Sequence, residues 1–365
     1  MTMTLETEST KLPLHEEHLK KGARMGDFGG WLVPLFYTSI MEEHTAVRTK
    51  AGVFDISHMG EFLVEGPAAL DYLEKNLPRR IAPVKFGQAI YMPLVNDQGG
   101  MVDDIIVYRM QEQKFLIIVN AGNIKKDFAW FKARLMPEVT LTDLSDGMGL
   151  LALQGPLSQT ILLECFGAFY KNLRRFHYKD FEGGVIARTG YTGEDGYEIM
   201  VPKHKLKQVW DVLFRVGAKH GLLPVGFGAR DTLRLEAAMP LYGHELTNEL
   251  TPLEADLEWA IDLTKNEFPG SVFLKNQKKT GILKKRIGFE MTERGIPRQG
   301  FEIQKNGKTI GTVTSGSFIP TTGKNIGMAY VAIAETKIGN TIDVMVRGKP
   351  VKAVIVPLPF YKRKG

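Results

Sequence analysis

A strand that leads through a Gly-Pro pair into a helix occurs twice in this sequence. Strand-like segments at 61–65 and 149–154 run into Gly66-Pro67 and Gly155-Pro156, two pairs that lie 89 residues apart. Proline is favourable in the first turn of a helix because the N–H that it lacks would have no partner there. The repeat predicts two similar α+β lobes, although Gly and Pro turn chemistry can also produce such pairs by chance.

Each Gly-Pro pair is followed by a similar order of elements. After the first pair and its helix, the pattern predicts strands 89–95, 101–109 and 114–119, then a helix over 124–135 with Asn123 as its N-cap. After the second pair, it predicts strands near 184–188 and 197–201 and a helix over 205–218. The links between the first three strands are short and turn-like, which favours an antiparallel meander.

The pattern changes beyond about residue 282, where short β-rich segments succeed one another without a helix. Five such segments are predicted, at 286–290, 309–314, 326–331, 341–346 and 352–356. This succession is typical of a small β-barrel or sandwich. We therefore expect an α+β fold with two regions: 1–281, formed by two related lobes with a boundary near 140–150, and a C-terminal β-barrel over 282–365.

Composition narrows the protein class. With 44% hydrophobic and 24% charged residues, the chain is typical of soluble globular proteins. The single cysteine, Cys165, cannot form an internal disulfide, which favours a reducing cytoplasm and a core thiol. The net charge of +6 is weak evidence for nucleic acid, and no apolar run approaches the roughly 18 residues of a membrane span. Residues 1–11 fit neither a secretory signal nor a transit peptide. We expect a cytoplasmic protein that binds neither nucleic acid nor membrane.

Several suggestive motifs are discounted. Gly226-Phe-Gly228 lacks the third glycine of a dinucleotide fingerprint. His15-Glu-Glu-His18 is interpreted as a solvated charge run and not as a zinc site, so no metal is predicted. The basic groups at 284–286 and 362–364 are interpreted as a positive rim that attracts an acidic protein partner.

An acidic pair interrupts an apolar strand. Asp103 and Asp104 are consecutive, so their side chains point to opposite faces of the sheet. If the two flanking links centre between residues 97 and 98 and on residue 112, Tyr91, Asp104 and Asn120 lie opposite one another in one row. We expect a polar site there. The alternative is that both carboxylates are edge charges that prevent strand aggregation.

Two further segments carry candidate site residues. The glycine-rich stretch 188–199 permits a tight loop or a close approach to a ligand, with Tyr191 and Glu198 at its flanks; a decorated hairpin is the alternative. Arg230 lies in the first turn of a helix, where the helix dipole disfavours a cation. It therefore calls for an anionic ligand or a carboxylate partner, the simplest being a structural ion pair with Glu236 or a neighbour of Asp231.

These motifs together resemble a known family. They occur in the same order over nearly the full chain as in the aminomethyltransferases, or T-proteins, of the glycine cleavage system. The shared segments are Gly29-Gly-Trp-Leu-Val-Pro34, Phe54-Asp-Ile-Ser-His-Met59, Gly100-Met-Val-Asp-Asp104, Val119-Asn-Ala-Gly122, Leu151-Ala-Leu-Gln-Gly-Pro156, Gly190-Tyr-Thr-Gly-Glu-Asp-Gly196, Arg230-Asp-Thr-Leu-Arg-Leu-Glu236, Thr314-Ser-Gly316 and Pro359-Phe-Tyr361.

The resemblance implies a cloverleaf of two related α+β lobes and a β-barrel, with tetrahydrofolate in a central hole. It also implies the reaction: an aminomethyl group carried on the lipoyl arm of the H-protein is transferred to tetrahydrofolate, with formation of 5,10-methylenetetrahydrofolate and release of ammonia. Tetrahydrofolate is then a co-substrate, the lipoyl group belongs to the partner protein, and no metal takes part.

The resemblance also assigns roles to individual residues. Asp104 matches the family's catalytic carboxylate, which orients or deprotonates N10 and stabilises a cationic intermediate. Glu198 matches the glutamate that recognises the pteridine. The folate-site positions are Tyr91, Asn120, Tyr191, Glu198, Arg230, Arg298 and Tyr361.

Two other classes share this scaffold. Folate-binding relatives without transferase activity carry a Lys-Gly-Cys-Tyr-x-Gly-Gln-Glu segment, whereas the corresponding stretch here has no cysteine. Dimethylglycine and sarcosine oxidoreductases combine the scaffold with a flavin domain, for which this chain has neither length nor fingerprint. The sequence therefore favours the transferase.

Overall fold

The computed structural model describes residues 9–363. The chain begins with a small three-stranded sheet in the order β1-β3-β2. The first elements of the chain are β1 (Thr10–Lys11), α1 (His15–Lys20), β2 (Arg24–Phe28), β3 (Trp31–Phe36), α2 (Ile40–Thr49) and β4 (Gly52–Asp55). Strand β4 joins a different sheet, described below.

The next part forms a five-stranded sheet in the order β6-β7-β8-β5-β9. Its elements are β5 (Gly60–Glu65), α3 (Ala69–Asn76), β6 (Ala89–Val95), β7 (Met101–Gln111), β8 (Lys114–Val119), α4 (Ile124–Lys132) and β9 (Thr140–Asp143). Strands β6, β7 and β8 pair antiparallel, as the short links predict.

A six-stranded sheet follows, in the order β11-β12-β13-β10-β4-β14. Its elements are β10 (Met148–Gln154), α5 (Ser158–Phe166), β11 (Tyr178–Phe181), β12 (Gly184–Ala187), β13 (Gly196–Pro202), α6 (Lys203–Gly217), β14 (Leu223–Pro224) and α7 (Phe227–Glu236). Because β4 pairs with β10, a segment that precedes the first lobe completes the second sheet.

The two sheets repeat one topology. In each, the strand before the Gly-Pro turn pairs with the last strand of an antiparallel meander. One helix precedes the meander in the chain and another follows it. Gly66 and Gly155 have the same φ of +124°, and each lies where a Cβ would contact a backbone carbonyl oxygen. The prediction of two related lobes is confirmed.

The last part is a closed barrel in the order β15-β18-β17-β16-β19-β20. It is preceded by α8 (Ser271–Thr280) and formed by β15 (Lys284–Met291), β16 (Glu302–Lys305), β17 (Lys308–Ile319), β18 (Lys324–Ala332), β19 (Thr341–Val346) and β20 (Lys349–Val356). The predicted terminal barrel is confirmed. Strand β16 has no counterpart among the five predicted segments, because in Glu-Ile-Gln-Lys only Ile303 is buried.

One prediction about polar residues is wrong and one holds only in part. His15 and His18 are not a solvated run: both are buried in α1, and His18 Nε2 lies 2.9 Å from Asp55 Oδ2 while Nδ1 lies 2.9 Å from the Tyr37 hydroxyl. Asn123 occupies the N-cap position of α4 as predicted, but its side chain makes no capping hydrogen bond and donates to Asp103 instead.

The predicted positive rim is wrong at Arg286, whereas Lys362 and Arg363 are exposed. Arg286 is buried, and its guanidinium donates to the Ala238 carbonyl over 3.1 Å. Lys285 pairs with Asp256 and Arg363 with Asp195, while Lys364 lies outside the described residues. Within residues 9–363, no helix has the length and apolarity that crossing a bilayer requires.

Replacing Gly155 by alanine tests the packing of the second Gly-Pro turn. A Cβ at Gly155 would lie 2.6 Å from the Lys50 carbonyl oxygen, whereas one at Gly167, where φ is +92°, would meet nothing within 4 Å. We expect Gly167→Ala to lower the free energy of unfolding by about 1–3 kcal/mol through backbone strain alone. Gly155→Ala should lower it by a further ~1–3 kcal/mol, because the backbone has to move. Urea denaturation measures both, and equal losses would contradict this packing.

Candidate active site

The acidic pair lies near the start of β7, next to the hairpin that joins β6 and β7. Asp104 pairs with Pro93, and Tyr91 pairs with Ile106, so the predicted row is wrong by two residues. The turn centres on Gln98, since Asn96 N donates to the Gly100 carbonyl, and a bulge near Leu94 and Val95 shifts the register once more. A shift of two keeps every side chain on its predicted face.

Asp104 nevertheless contacts both predicted neighbours. The Tyr91 hydroxyl donates to Asp104 Oδ2 over 3.0 Å, and Asn120 Nδ2 donates to Asp104 Oδ1 over 2.7 Å. Asn120 lies one residue beyond β8, whose pairing with β7 follows the predicted register. Asp104 is half-buried, whereas Asp103 is fully buried. The alternative of two edge charges is therefore wrong.

The environment of Asp104 favours its protonated form. Burial, followed by the neighbouring charge of Asp103, raises the pKa of Asp104 to about 7, while the hydrogen bonds from Tyr91 and Asn120 act in the opposite direction. A carboxyl that titrates near neutrality can both accept and release a proton, which suits general acid–base chemistry.

An aromatic residue that the sequence analysis missed adjoins this group. The Trp259 ring stacks on the Tyr91 ring with centroids 5.6 Å apart and an interplanar angle of 22°, and 61% of Trp259 is exposed. Trp259 lies in a short 3₁₀ turn, so no helix or strand pattern points to it. The only signal is a tryptophan in an irregular segment.

A second carboxylate stands on β13. Glu198 pairs across the sheet with Ala152 on one side and Ala187 on the other, which leaves space above its side chain. The Thr189 hydroxyl donates to Glu198 Oε2 over 2.5 Å. Burial raises the pKa of Glu198, partly offset by that hydrogen bond and by the charge of Arg230.

Arg230 has an unpaired guanidinium. Among residues 9–363, no carboxylate lies within the 4.0 Å of an ion pair with it. Of its predicted structural partners, Glu236 pairs with Arg48; the others were neighbours of Asp231, which itself pairs with Arg234. Burial lowers the pKa of Arg230. The structural ion pair is thus wrong, and the cation is available for an anionic or electron-rich ligand.

Tyr191 links the two groups. Its hydroxyl donates to the Pro240 carbonyl, and the Arg230 guanidinium carbon lies 4.7 Å from the centre of its ring. The charges of both Asp104 and Arg230 influence the pKa of Tyr191. Asp104, Tyr191, Arg230 and Glu198 therefore border one site.

Strand β7 sets the spacing within this site. Asp104 and Tyr108 are on the same face of β7, four residues apart, which corresponds to roughly 14 Å along the strand. Tyr108 lies beside Glu198 and Thr189, which both affect its pKa. The two carboxylates thus stand toward opposite ends of an elongated site.

The glycine-rich stretch has a structural reason. Cβ atoms at Gly190 and Gly196 would collide with the Gln154 side chain, whose Nε2 donates to the Thr189 carbonyl and whose Oε1 accepts from the Thr192 hydroxyl. The close approach is therefore to Gln154 and not to a ligand. It fixes the loop that carries Tyr191.

Tyr361 and Arg298 are the two remaining predicted site residues. The Tyr361 ring lies 4.0 Å from the Arg48 guanidinium and adjoins the loop at Gly193. Arg298 is exposed on the barrel and donates to the Gly316 carbonyl over 3.2 Å. Within residues 9–363, no hydrogen bond, ion pair or ring contact joins Arg298 to the other predicted site residues, and no cluster of three His, Cys, Asp or Glu side chains could hold a metal ion.

Two family models together match most of the chain. Residues 14–265 match the family model described as the GCVT N-terminal domain, and residues 284–362 match that of the glycine cleavage T-protein C-terminal barrel domain. The chain belongs to the glycine cleavage T-protein family. Its activity class is that of the family, an aminomethyltransferase of glycine cleavage, and so it is a transferase.

Similar proteins cover almost the whole chain. An aminomethyltransferase of Desulforamulus reducens is 46% identical over 98% of this chain and 99% of its own length. One from Natranaerobius thermophilus is 44% identical over 98% of this chain and 100% of its own length. The crystal structure of the glycine cleavage system aminomethyltransferase T from Bartonella henselae superposes with a TM-score of 0.92 at 36% identity, covering 97% of this chain and 98% of that one.

The raised pKa of Asp104 makes stability depend on pH. Between about pH 4, where an unfolded aspartate loses its proton, and pH 7, the folded protein binds the extra proton. The contribution of Asp104 to the free energy of unfolding therefore falls as the pH rises through this window. Relative to Asp104→Asn, which does not titrate, the wild type should lose up to about 1.4 kcal/mol per pH unit there and no more above it. Urea denaturation across the window measures this, and a difference that is constant or grows with pH would contradict it.

Proposed function

We propose that this enzyme transfers the one-carbon unit of an aminomethyl group, carried on the lipoyl arm of the H-protein, to tetrahydrofolate. The C–S and C–N bonds of the aminomethyl group break, so the products are 5,10-methylenetetrahydrofolate, ammonia and the H-protein with its lipoyl arm released as the dithiol. The observation that carries the proposal is the pair of carboxylates at the two ends of one site, Asp104 beside Tyr91 and Asn120, and Glu198 beside Arg230. An elongated ligand with a polar ring at one end and a reacting nitrogen further along suits this spacing.

Glu198 suits the recognition of the pteridine ring. Of its two oxygens, Oε2 accepts from Thr189, and a carboxylate can also accept the parallel N–H groups of a ring amide and an exocyclic amine. Arg230, which has no carboxylate partner in the described part of the chain, adds a cation on the same side. Trp259 stacked on Tyr91 provides an aromatic wall toward the reacting end.

Asp104 suits the chemical step. Above about pH 7 it is ionised, so it can orient N10 of tetrahydrofolate or accept its proton. As ammonia leaves, positive charge develops on the one-carbon unit, and a fixed carboxylate in a partly dry site stabilises such charge. Tyr91 and Asn120 hold both carboxylate oxygens in place. The chain itself supplies the base and the electrostatic stabilisation, with no metal in the proposed reaction.

The partner and the location stay predictions. The proposed donor of the aminomethyl group is the lipoylated H-protein. Of the basic residues predicted to attract it, Arg286 is buried and Lys285 pairs with Asp256, while Lys362 and Arg363 are exposed. A cytoplasmic location, and the lack of nucleic-acid and membrane partners, rest on the sequence.

Asp104→Asn should separate catalysis from binding. The substitution is nearly isosteric and removes the charge and the base, so ammonia release from aminomethyl-loaded H-protein should fall by about 10² or more. The dissociation constant for tetrahydrofolate should change by less than about threefold, because the pteridine end of the site is untouched. A near-wild-type rate would contradict the role of Asp104.

Glu198→Gln should instead weaken the binding of tetrahydrofolate. It replaces one acceptor oxygen by an amide NH₂ group, so one hydrogen bond to the pteridine is lost and a donor faces a donor. We expect tetrahydrofolate to bind about 10- to 100-fold more weakly, the scale of a hydrogen bond to a charged group. Titration calorimetry measures this, with the exposed Glu267→Gln as the matched control. Unchanged affinity in Glu198→Gln would reject the pteridine assignment.

A further inference from the structure

A second buried carboxyl lies behind the acidic pair. Asp127, in α4, is fully buried, and neither of its oxygens has a hydrogen-bond donor among residues 9–363 in the structure. The adjacent cation does not pair with it: Lys126 Nζ donates to the Val102 carbonyl over 2.5 Å and to the Tyr242 hydroxyl over 2.8 Å. An ionised carboxylate without a donor is very costly in such a place. This environment therefore favours the protonated form of Asp127.

Asp103 provides the acceptor for that proton. It lies within hydrogen-bonding reach of Asp127, and burial together with the charge of Asp103 raises the pKa of Asp127 well above its usual range. Asp103 itself accepts three N–H groups, from Asn120 N over 3.0 Å, Asn120 Nδ2 over 2.8 Å and Asn123 Nδ2 over 2.7 Å. A carboxylate with three donors is stabilised as the anion. The pair thus carries one charge and one proton.

Asn120 connects this pair to Asp104. Its side-chain amide has two hydrogens, and Nδ2 lies 2.8 Å from Asp103 Oδ1 and 2.7 Å from Asp104 Oδ1. Both hydrogens are therefore used between the two carboxylates, and rotation of the amide would leave both without a donor. The orientation of Asp104 depends on Asn120, and that of Asn120 depends on Asp103.

We propose that Asp127 stays protonated and donates its hydrogen to the Asp103 carboxylate, and that this buried pair positions Asn120 and, through it, the catalytic Asp104. Asp127 and Asp103 are thus positioning residues. The inference rests on the proposed function for its kinetic consequence, whereas the shared proton itself does not.

The groups that face each carboxyl come from several elements. Asp104 faces Asp103 on its own strand, Tyr91 on β6, and Tyr191 in the glycine-rich loop. Asp127 faces Asp103 and Asp104 on β7 and Lys126 on its own helix. Tyr242 lies near both Asp103 and Asp127. Because Asp127 keeps the proton, Asp103 stays ionised, and its negative charge acts on Asp104.

Three variants test the proposal in the intact enzyme. Asp127→Asn keeps a neutral donor toward Asp103, so kcat should fall by less than about threefold. Asp127→Ala removes the donor and loosens Asn120, so kcat should fall by about tenfold or more while KM for tetrahydrofolate changes less. Asp103→Asn removes the charge beside Asp104, so the acid limb of the kcat profile should move down by about one pH unit.

Infrared spectroscopy detects the proton that Asp127 shares with Asp103, and it does so without enzymatic turnover. At pH 8 the C=O band of a protonated carboxylic acid should be present in the wild type and reduced in Asp127→Asn. Glu61→Ala is the matched control: Glu61 is a buried carboxyl on β5 with a raised pKa and no contact with the acidic pair. It should lose its own acid band and leave the acid limb of the kcat profile unchanged.

The outcomes separate the two claims. A wild type that is inactive with H-protein and tetrahydrofolate contradicts the proposed function, while the infrared difference still decides the shared proton. An active wild type whose Asp127→Ala variant keeps kcat, or whose acid band is the same in Asp127→Asn, overturns the inference. Should Asp127→Ala fail to fold, Asp127→Asn, Asp103→Asn and the infrared difference remain decisive.

Discussion

The edge-to-edge and face-to-face packing of the two sheets is the constraint on which the site depends. Strand β6 is the edge of the first sheet and β11 that of the second, and a bridge between Gln88 and His177 joins them. Ala89 N donates to the Phe176 carbonyl over 2.8 Å beside this bridge. The apolar side chains of both sheets then share one core cluster, which includes Tyr108 of β7 and Ala152 and Ala187 of the second sheet. This packing brings one face of β7 alongside β13, and so brings Asp104 and Glu198 to one site.

Pairing distinguishes the structural charges from those of the site. Arg234 is buried but has the carboxylates of Asp231 and Glu245 as partners, and Arg48 has Glu194 and Glu236. These buried pairs tie α2 and α7 to the glycine-rich loop and the segment before the barrel. Arg230 lies on the same helix as Arg234 and is half-buried, and within residues 9–363 no carboxylate lies within 4.0 Å of its guanidinium. A buried cation without a carboxylate is costly unless a ligand completes its environment.

Much of this was predictable from the sequence, and the misses have physical reasons. Alternation along β7 places Asp103 and Asp104 on opposite faces whatever the register. An error of two residues leaves each side chain on its predicted face, so the residues predicted to surround Asp104 are correct although the predicted turn centre is wrong. The bulge at Leu94 leaves no mark in the residue pattern. His18 and Arg286 resemble surface charges in sequence, yet long-range partners, Asp55 and the Ala238 carbonyl, bury them. Trp259 contacts Tyr91 only because the chain returns to β6 after more than a hundred residues.

The central claim is that Asp104 and Glu198 act on one folate molecule from its two ends. A crystal structure of the enzyme with bound tetrahydrofolate tests it most directly. We expect the pteridine ring amide and amine within hydrogen-bond distance, about 3.2 Å or less, of the Glu198 carboxylate, with N10 at a similar distance from Asp104. A folate whose pteridine lies away from Glu198, or whose N10 is out of reach of Asp104, would contradict the account.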